Sequence, residues 1–279
     1  MSWQAVALKD FRDAIRSRLM LIVAGLFILF TGGGTAIGTT LGLGGGDAMG
    51  LIMFFMLSAT SVFVPIIAIG ISYRAIAGER ASGSLKLLLS LPNSRRDVII
   101  GKFLGRSGVV SVAVLIGFIV GLVAFSFAFN GGFDVGVYFA FMLTTLLLGL
   151  VFVSIGVSVS AFTTSTFQSA VGSFGLFLIF EFLWGIFMQL LWYISNGFEF
   201  PALEDSPPGW LEFLSTINPS IAYDQATRWL VDVFAQGETA QQPGAEALYL
   251  EPWFGVIMLL IWIALPLGIG YWRFDQLDL

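Results

Sequence analysis

Val137-Tyr-Phe-Ala-Phe-Met-Leu-Thr-Thr-Leu-Leu-Leu-Gly-Leu-Val-Phe-Val-Ser-Ile-Gly-Val-Ser-Val-Ser-Ala161 decides the fold. Residues 137–161 carry no charged side chain and show no alternation of polar and apolar positions. About 20 apolar residues suffice for a helix to cross a hydrocarbon core. In lipid every backbone N–H and C=O must find its partner within the protein, so only helices and closed barrels span it. Barrel strands are short and alternate in polarity, which this run does not, so it is read as a transmembrane helix. Five other runs share its length and apolar character, approximately 19–41, 51–73, 107–129, 169–194 and 253–272. The expected fold is therefore an all-α polytopic bundle of six transmembrane helices, forming a single domain over residues 1–279.

Composition agrees. Apolar residues make up 57% of the chain and charged ones 11%, with 28 Phe, 8 Trp and a mean hydropathy of +0.90. A soluble domain carries about 25% charged residues, so lipid must cover much of this surface. The chain has no Cys and no His, which excludes disulfides, thiolate metal sites, Cys nucleophiles and Ser-His triads. A membrane-embedded enzyme would need such a group or a cluster of acids, and none stands out.

Orientation follows from the basic residues. Lys9, Arg12, Arg16 and Arg18 lie in 1–18, and Arg74, Arg80, Lys86, Arg95, Arg96, Lys102 and Arg106 in 74–106. Arg273 follows the last span, and only Arg228 stands elsewhere. The positive-inside rule makes 1–18, 74–106 and the C-terminus cytoplasmic. The charged stretch from Lys9 to Arg18 and the lack of a small-residue cleavage pattern lead to the expectation that the first span is retained. Within 2–18, Trp3, Val6, Ala7, Phe11 and Ile15 recur at helical spacing, which reads as an interfacial amphipathic helix. The loop 195–252 is acidic and proline-rich and is expected outside. It should hold one or two short helices around 209–235, with Trp210, Leu211, Phe213, Leu214, Trp229 and Leu230 laid on the membrane surface.

The cytoplasmic segment 74–106 is the most informative. Leu85, Leu87, Leu88, Leu89 and Leu91 make a short greasy helix with Lys86 among them, ended by Pro92. Asn93 or Ser94 then caps a new helix, with Asp97 three residues beyond Ser94 as a capping-box partner. That helix continues into the third span, with Arg95, Lys102 and Arg106 near one face. A short helix, a turn and a basic helix suit an element that takes a push from a cytoplasmic partner; a plain basic loop packed on the bundle is the other reading.

Glu79-Arg-Ala-Ser-Gly83-Ser-Leu85, then Leu88-Leu-Ser-Leu-Pro92-Asn-Ser94-Arg95, then Gly101-Lys102 resembles the signature of ABC-2 type permeases. Weaker likenesses occur at Ser160 through Ala170 and at Asn218-Pro219 with Tyr223. The plan of an amphipathic N-terminus, six spans and a long external loop before the last span is also similar. The resemblance implies the permease subunit of an export-type ABC transporter in the cell membrane. Such a subunit moves its substrate by alternating access coupled to ATP hydrolysis on a separate ATP-binding subunit. The loop between spans two and three would be its coupling helix. Glu79, Gly83, Leu85, Leu88, Pro92, Arg95 and Lys102 are the partner-coupling positions implied. Glu79 would anchor to a basic group on the partner or on the N-terminal helix, Gly83 would allow close backbone approach, and the leucines would fill the partner's cleft. A second copy or a similar permease would complete the pathway, as a homodimer or heterodimer, with no nucleic acid involved.

No Gly-x-x-x-x-Gly-Lys-Ser/Thr occurs in the chain; Gly42-Leu-Gly-Gly-Gly46 lacks the Lys-Ser/Thr. A phosphate-binding loop needs that lysine and the helix start behind it. No cofactor or metal is therefore expected here, and ATP with its Mg belongs to the partner subunit. Glu181 lies amid Phe177-Leu-Ile-Phe-Glu-Phe-Leu-Trp184 near the middle of span five. A carboxylate at that depth costs several kcal/mol unless it faces a cavity or partner. It is the intramembrane pathway candidate, and it sustains a rival reading as a proton- or ion-coupled carrier. Its other reading is structural, a carboxyl bonded to a neighbouring Ser or Thr. Gly34/Gly38, Gly101/Gly105 and Gly117/Gly121 have the spacing of close-packed membrane helices.

Overall fold

The computed structural model describes residues 3–15, 25, 46–90, 94–128, 134–202, 206–234 and 247–276. The expected span 19–41, apart from residue 25, lies outside them, as do Pro92, Asn93 and the Gly34/Gly38 pair. Every regular element among the described residues is helical. In chain order these are α1 Trp3–Ile15, α2 Gly46–Ser72, α3 Ala77–Ala81, α4 Ser84–Ser90, α5 Arg95–Ala128, α6 Val135–Phe162, α7 Thr166–Ser195, α8 Gly209–Thr216, α9 Pro219–Phe234 and α10 Phe254–Asp275. A π turn, Ile179–Leu183, interrupts α7, and a single 3₁₀ turn covers Leu248–Leu250. Five stretches are long and apolar enough to cross a membrane: Thr60–Ala81, Arg95–Val123, Val135–Phe162, Thr166–Ser195 and Phe254–Asp275. At about 1.5 Å per residue, the 28-residue α6 reaches about 42 Å, more than the ~30 Å of a bilayer core.

Local chemistry starts and stops these helices. Asp134 Oδ1 accepts from the backbone N–H of Gly136 at 2.7 Å and Val137 at 3.2 Å, capping α6. Ser165 Oγ accepts from Gln168 N–H at 3.2 Å, capping α7. The expected box opens α5: Asp97 N–H donates to Ser94 Oγ at 3.1 Å, and Asp97 Oδ2 accepts from Ser94 N–H at 3.0 Å. Gly197 and Phe198 take left-handed φ of 75° and 67°, and Phe198 N–H turns back to the Tyr193 carbonyl at 3.0 Å, ending α7.

The quoted run becomes the axis of the bundle. α6 touches α2, α5, α7, α9 and α10, and 72% of its most apolar stretch is buried, against 11% for α7. So α6 sits at the centre and α7 at the rim, although the two are nearly alike in hydropathy. Close approach is set by small residues. A Cβ on Gly149 would stand 2.8 Å from Val110 on α5, and one on Gly270 3.0 Å from the Ser158 backbone. A Cβ on Gly156 would strike the Ser72 hydroxyl.

The loop 195–252 departs from expectation. Its two helices form where predicted, but α9 does not lie on the membrane surface. It packs into the bundle against α6 and α10, with Tyr223 1% exposed and Ala222 and Ala226 fully buried. Toward α10 its face is small, so it fits where a wider helix cannot: a Cβ on Gly255 of α10 would collide with the Ala222 carbonyl and stand 2.6 Å from Ala226 N. Thr227 Oγ1 donates to Thr144 Oγ1 on α6 at 3.0 Å, satisfying two buried hydroxyls. Of the residues expected on the surface, Trp210 and Phe213 are exposed, Leu211 is buried, and Leu214, Trp229 and Leu230 are half-buried.

Candidate functional site

The N-terminal helix shows how the site is held. α1 packs on α5 along Gly101, Gly105 and Gly108. A Cβ on Gly101 would stand 2.7 Å from Val6 Cβ and 2.9 Å from the Trp3 carbonyl oxygen. One on Gly105 would stand 2.8 Å from the Ala7 carbonyl oxygen. The Gly101/Gly105 pair is thus a packing seat. α1 rests on protein along its Val6 side while Trp3 and Leu8 stay exposed.

This seat brings Asp10 down to 5% exposure beside Lys102 at 1%. Lys102 Nζ lies 3.3 Å from Asp10 Oδ1 and 2.9 Å from Glu79 Oε1. Arg106 Nε lies 2.5 Å from Asp10 Oδ2, and its Nη1 donates to the Ile71 carbonyl at 3.0 Å. Two carboxylates and two cations, neutral in sum, join α1, the end of α2, α3 and α5. Charges taken out of water hold only when they are paired and hydrogen-bonded on most sides, so the four fix the relative positions of these elements.

α3 and α4 form the projecting element. Ser160 Oγ on α6 accepts from Ile76 N–H at 3.0 Å and Ala77 N–H at 2.9 Å, supplying from another helix the cap that α3 lacks locally. Arg80 Nη1 donates to the Thr163 carbonyl in the α6–α7 turn. Gly83, with φ of 76°, makes the turn into α4. Within this chain a side chain there would meet open space, and the left-handed backbone itself favours glycine. Arg95 donates to the carbonyls of Phe274 and, at 3.1 Å, Asp275, and its guanidinium lies 5.5 Å from the Phe274 ring centre. It thus ties the start of α5 to the end of α10.

The predicted coupling residues divide accordingly. Leu85, expected in a partner's cleft, is 1% exposed and belongs to this chain's own core. Leu88 is half-buried and packs against that core. Lys102 and Glu79 face each other inside the fold, and Lys102 links Glu79 to Asp10 of the N-terminal helix. Among the described residues the exposed surface includes Ala81, Ser82, Gly83, Lys86 and Ser90, with Ser94 and Arg96 at the start of α5. Sequence reasoning missed Asp10, the lone buried acid of α1, while the reading of the Ser160 hydroxyl as a partner for backbone agrees with its two N–H contacts. The available signal for Asp10 was an acid interrupting the apolar side between Val6, Ala7 and Phe11. Replacing Ser160 by Ala should leave two buried N–H groups without a partner, costing about 1–3 kcal/mol each. A fall in melting temperature of the detergent-solubilised protein checks it.

Glu181 forms a second centre. Its Oε1 accepts from Ser61 Oγ on α2 at 3.0 Å and its Oε2 from Ser220 Oγ on α9 at 2.6 Å. Asn218 Nδ2 donates to the Phe180 carbonyl at 2.6 Å, while its Oδ1 caps α9 through Ser220 N–H at 2.7 Å. Trp262 Nε1 donates to the Ile217 carbonyl at 2.7 Å, and its ring lies 5.0 Å edge-on from Phe180. Trp184 packs on Phe180 at 5.8 Å. Trp184 and Trp262 thus both pack on the Phe180 ring.

Comparison with known proteins fits this geometry. A probable ABC transporter permease protein NosY of Pseudomonas aeruginosa is 28% identical over 222 residues, 78% of this chain and 78% of that protein. The protein of the same name from Stutzerimonas stutzeri is 27% identical over 268 residues, 91% of this chain and 94% of its own length. The family model for ABC-2 family transporter proteins matches residues 4–279. With its multi-pass helical bundle and a match over nearly its whole length, this chain belongs to the ABC-2 transporter family, as an ABC transporter permease subunit that works with an ATP-binding partner subunit.

Proposed function

We propose that this permease moves its substrate across the cell membrane by alternating access, driven by ATP hydrolysis on the separate subunit. The α3–α4 hairpin is the coupling element. The observation that carries this reading is how the hairpin is mounted. Its tip is exposed at Ser82, Gly83, Lys86 and Ser90, while its base is bonded to α5 through Glu79–Lys102, to α6 through Ser160 and to the α6–α7 turn through Arg80. An exposed tip on a stiff base transmits displacement instead of absorbing it. α1, the hairpin, the α6–α7 turn and the end of α10 are linked at one end of the bundle, and the basic residues gathered there make that end cytoplasmic. A second copy or a similar permease completes the pathway, and lipid covers the remaining apolar surface.

The test reverses charge at the tip. The Lys86→Glu variant should fold normally, because that side chain is exposed. It should co-purify with the ATP-binding subunit at least tenfold less well, about 1.4 kcal/mol. Unchanged co-purification, or substrate movement in vesicles without nucleotide, would sink the reading.

A further inference from the structure

Span five, α7, is built unlike its neighbours. Its inner part, Thr166–Leu178, buries Ser169, Ser173 and Phe177, and Ser169 Oγ donates to the Tyr73 carbonyl at 2.5 Å, just before the coupling hairpin. Its outer part, Trp184–Ser195, buries no side chain. Between them the π turn is gripped from three sides. Glu181 bridges Ser61 and Ser220, Asn218 holds the Phe180 carbonyl, and Trp262 packs on the Phe180 ring. π turns break the regular ladder of a helix and recur at functional positions.

We propose that span five is a lever whose fulcrum is Glu181, pinning the π turn to α2 and α9 so that motion at the cytoplasmic end swings the outer part. The idea rests on the coupling role of the hairpin. Displacement of the hairpin reaches the inner arm through Ser169 and Arg80. α9 is a firm anchor for the pin, because it lies against the α10 backbone at Gly255. Hydrogen bonds, unlike interlocked apolar side chains, let a helix rotate about the held point without opening a cavity. Glu181 is thus a positioning residue: it fixes where the span pivots.

The chain has no cysteine, so with a cysteine-free ATP-binding subunit only introduced positions carry label. In the full permease assembled with its ATP-binding subunit, spin labels at Ile194→Cys and Val135→Cys report the outer arm. Labels at Phe167→Cys and Leu104→Cys report the inner one. Nucleotide should shift both distances. In Glu181→Ala the inner shift should persist and the outer shift be lost. The Ser61→Ala, Ser220→Ala double variant, which keeps the carboxylate, should reduce the outer shift. Glu181→Gln, which still reaches both hydroxyls, should restore it, whereas a proton-carrying Glu181 would fail as Gln. An outer shift that survives Glu181→Ala alongside the inner one overturns the lever and leaves the coupling reading intact. An inner pair silent to nucleotide overturns both.

Discussion

Replacing Lys102 by Ala is expected to destabilise the protein by about 3–5 kcal/mol, since removing one member of a buried ion pair strands the other. Lys102 is 1% exposed and contacts both Asp10 and Glu79. Without it, Glu79 loses its ion-pair partner and Asp10 keeps only Arg106. Both carboxylates then favour states that reach water, and α1 lifts from its glycine seat. Limited proteolysis of the detergent-solubilised protein should cut the N-terminal helix in the variant and spare it in the parent. The control is the Lys102→Met, Glu79→Gln pair, which removes opposite charges together and should recover much of the loss. Equal damage in single and double variants would show that the ion pair is not what matters.

Gly255→Val should be the second severe change. The Cβ it adds meets main chain of α9 at Ala222 and Ala226, not the flexible end of a side chain that can swing away. Overpacking of this kind costs about 1–3 kcal/mol or more, and relief requires α9 to leave α10. Tyr223, buried on the same helix against Thr145 and Phe141 of α6, would lose that cover as α9 moves out. Tyr223→Cys should resist a membrane-impermeant thiol reagent in the parent and react in the presence of Gly255→Val. Continued protection of the cysteine would mean that α9 is held by something other than this contact.

Local signals in the chain were readable because they act over a few residues. Ser94 with Asp97, the helices at 209–235 and the odd carboxylate Glu181 all follow from spacing or polarity. The inside and outside of α4 were not readable: a leucine-rich helix with only Lys86 for contrast does not say that Leu85 turns inward. The depth of α9 was hidden for a related reason. Ala222, Ala226 and Thr227 score as weakly apolar, yet small size is what admits a helix to a crowded bundle. Hydropathy measures the preference for oil and says little of how closely two backbones can meet. The union of Asp10 with Lys102 and Arg106 joins positions far apart in sequence, and no local pattern announces it.

That separation bears on how the protein is made. Asp10 leaves the ribosome 92 residues before Lys102 and 96 before Arg106. At roughly 5–20 residues per second, this is on the order of 5–20 s during which the aspartate has neither cation and α1 has no Gly101 or Gly105 to sit on. The N-terminal helix is therefore made well before the residues that hold it, and it can be seated only once α5 has been delivered.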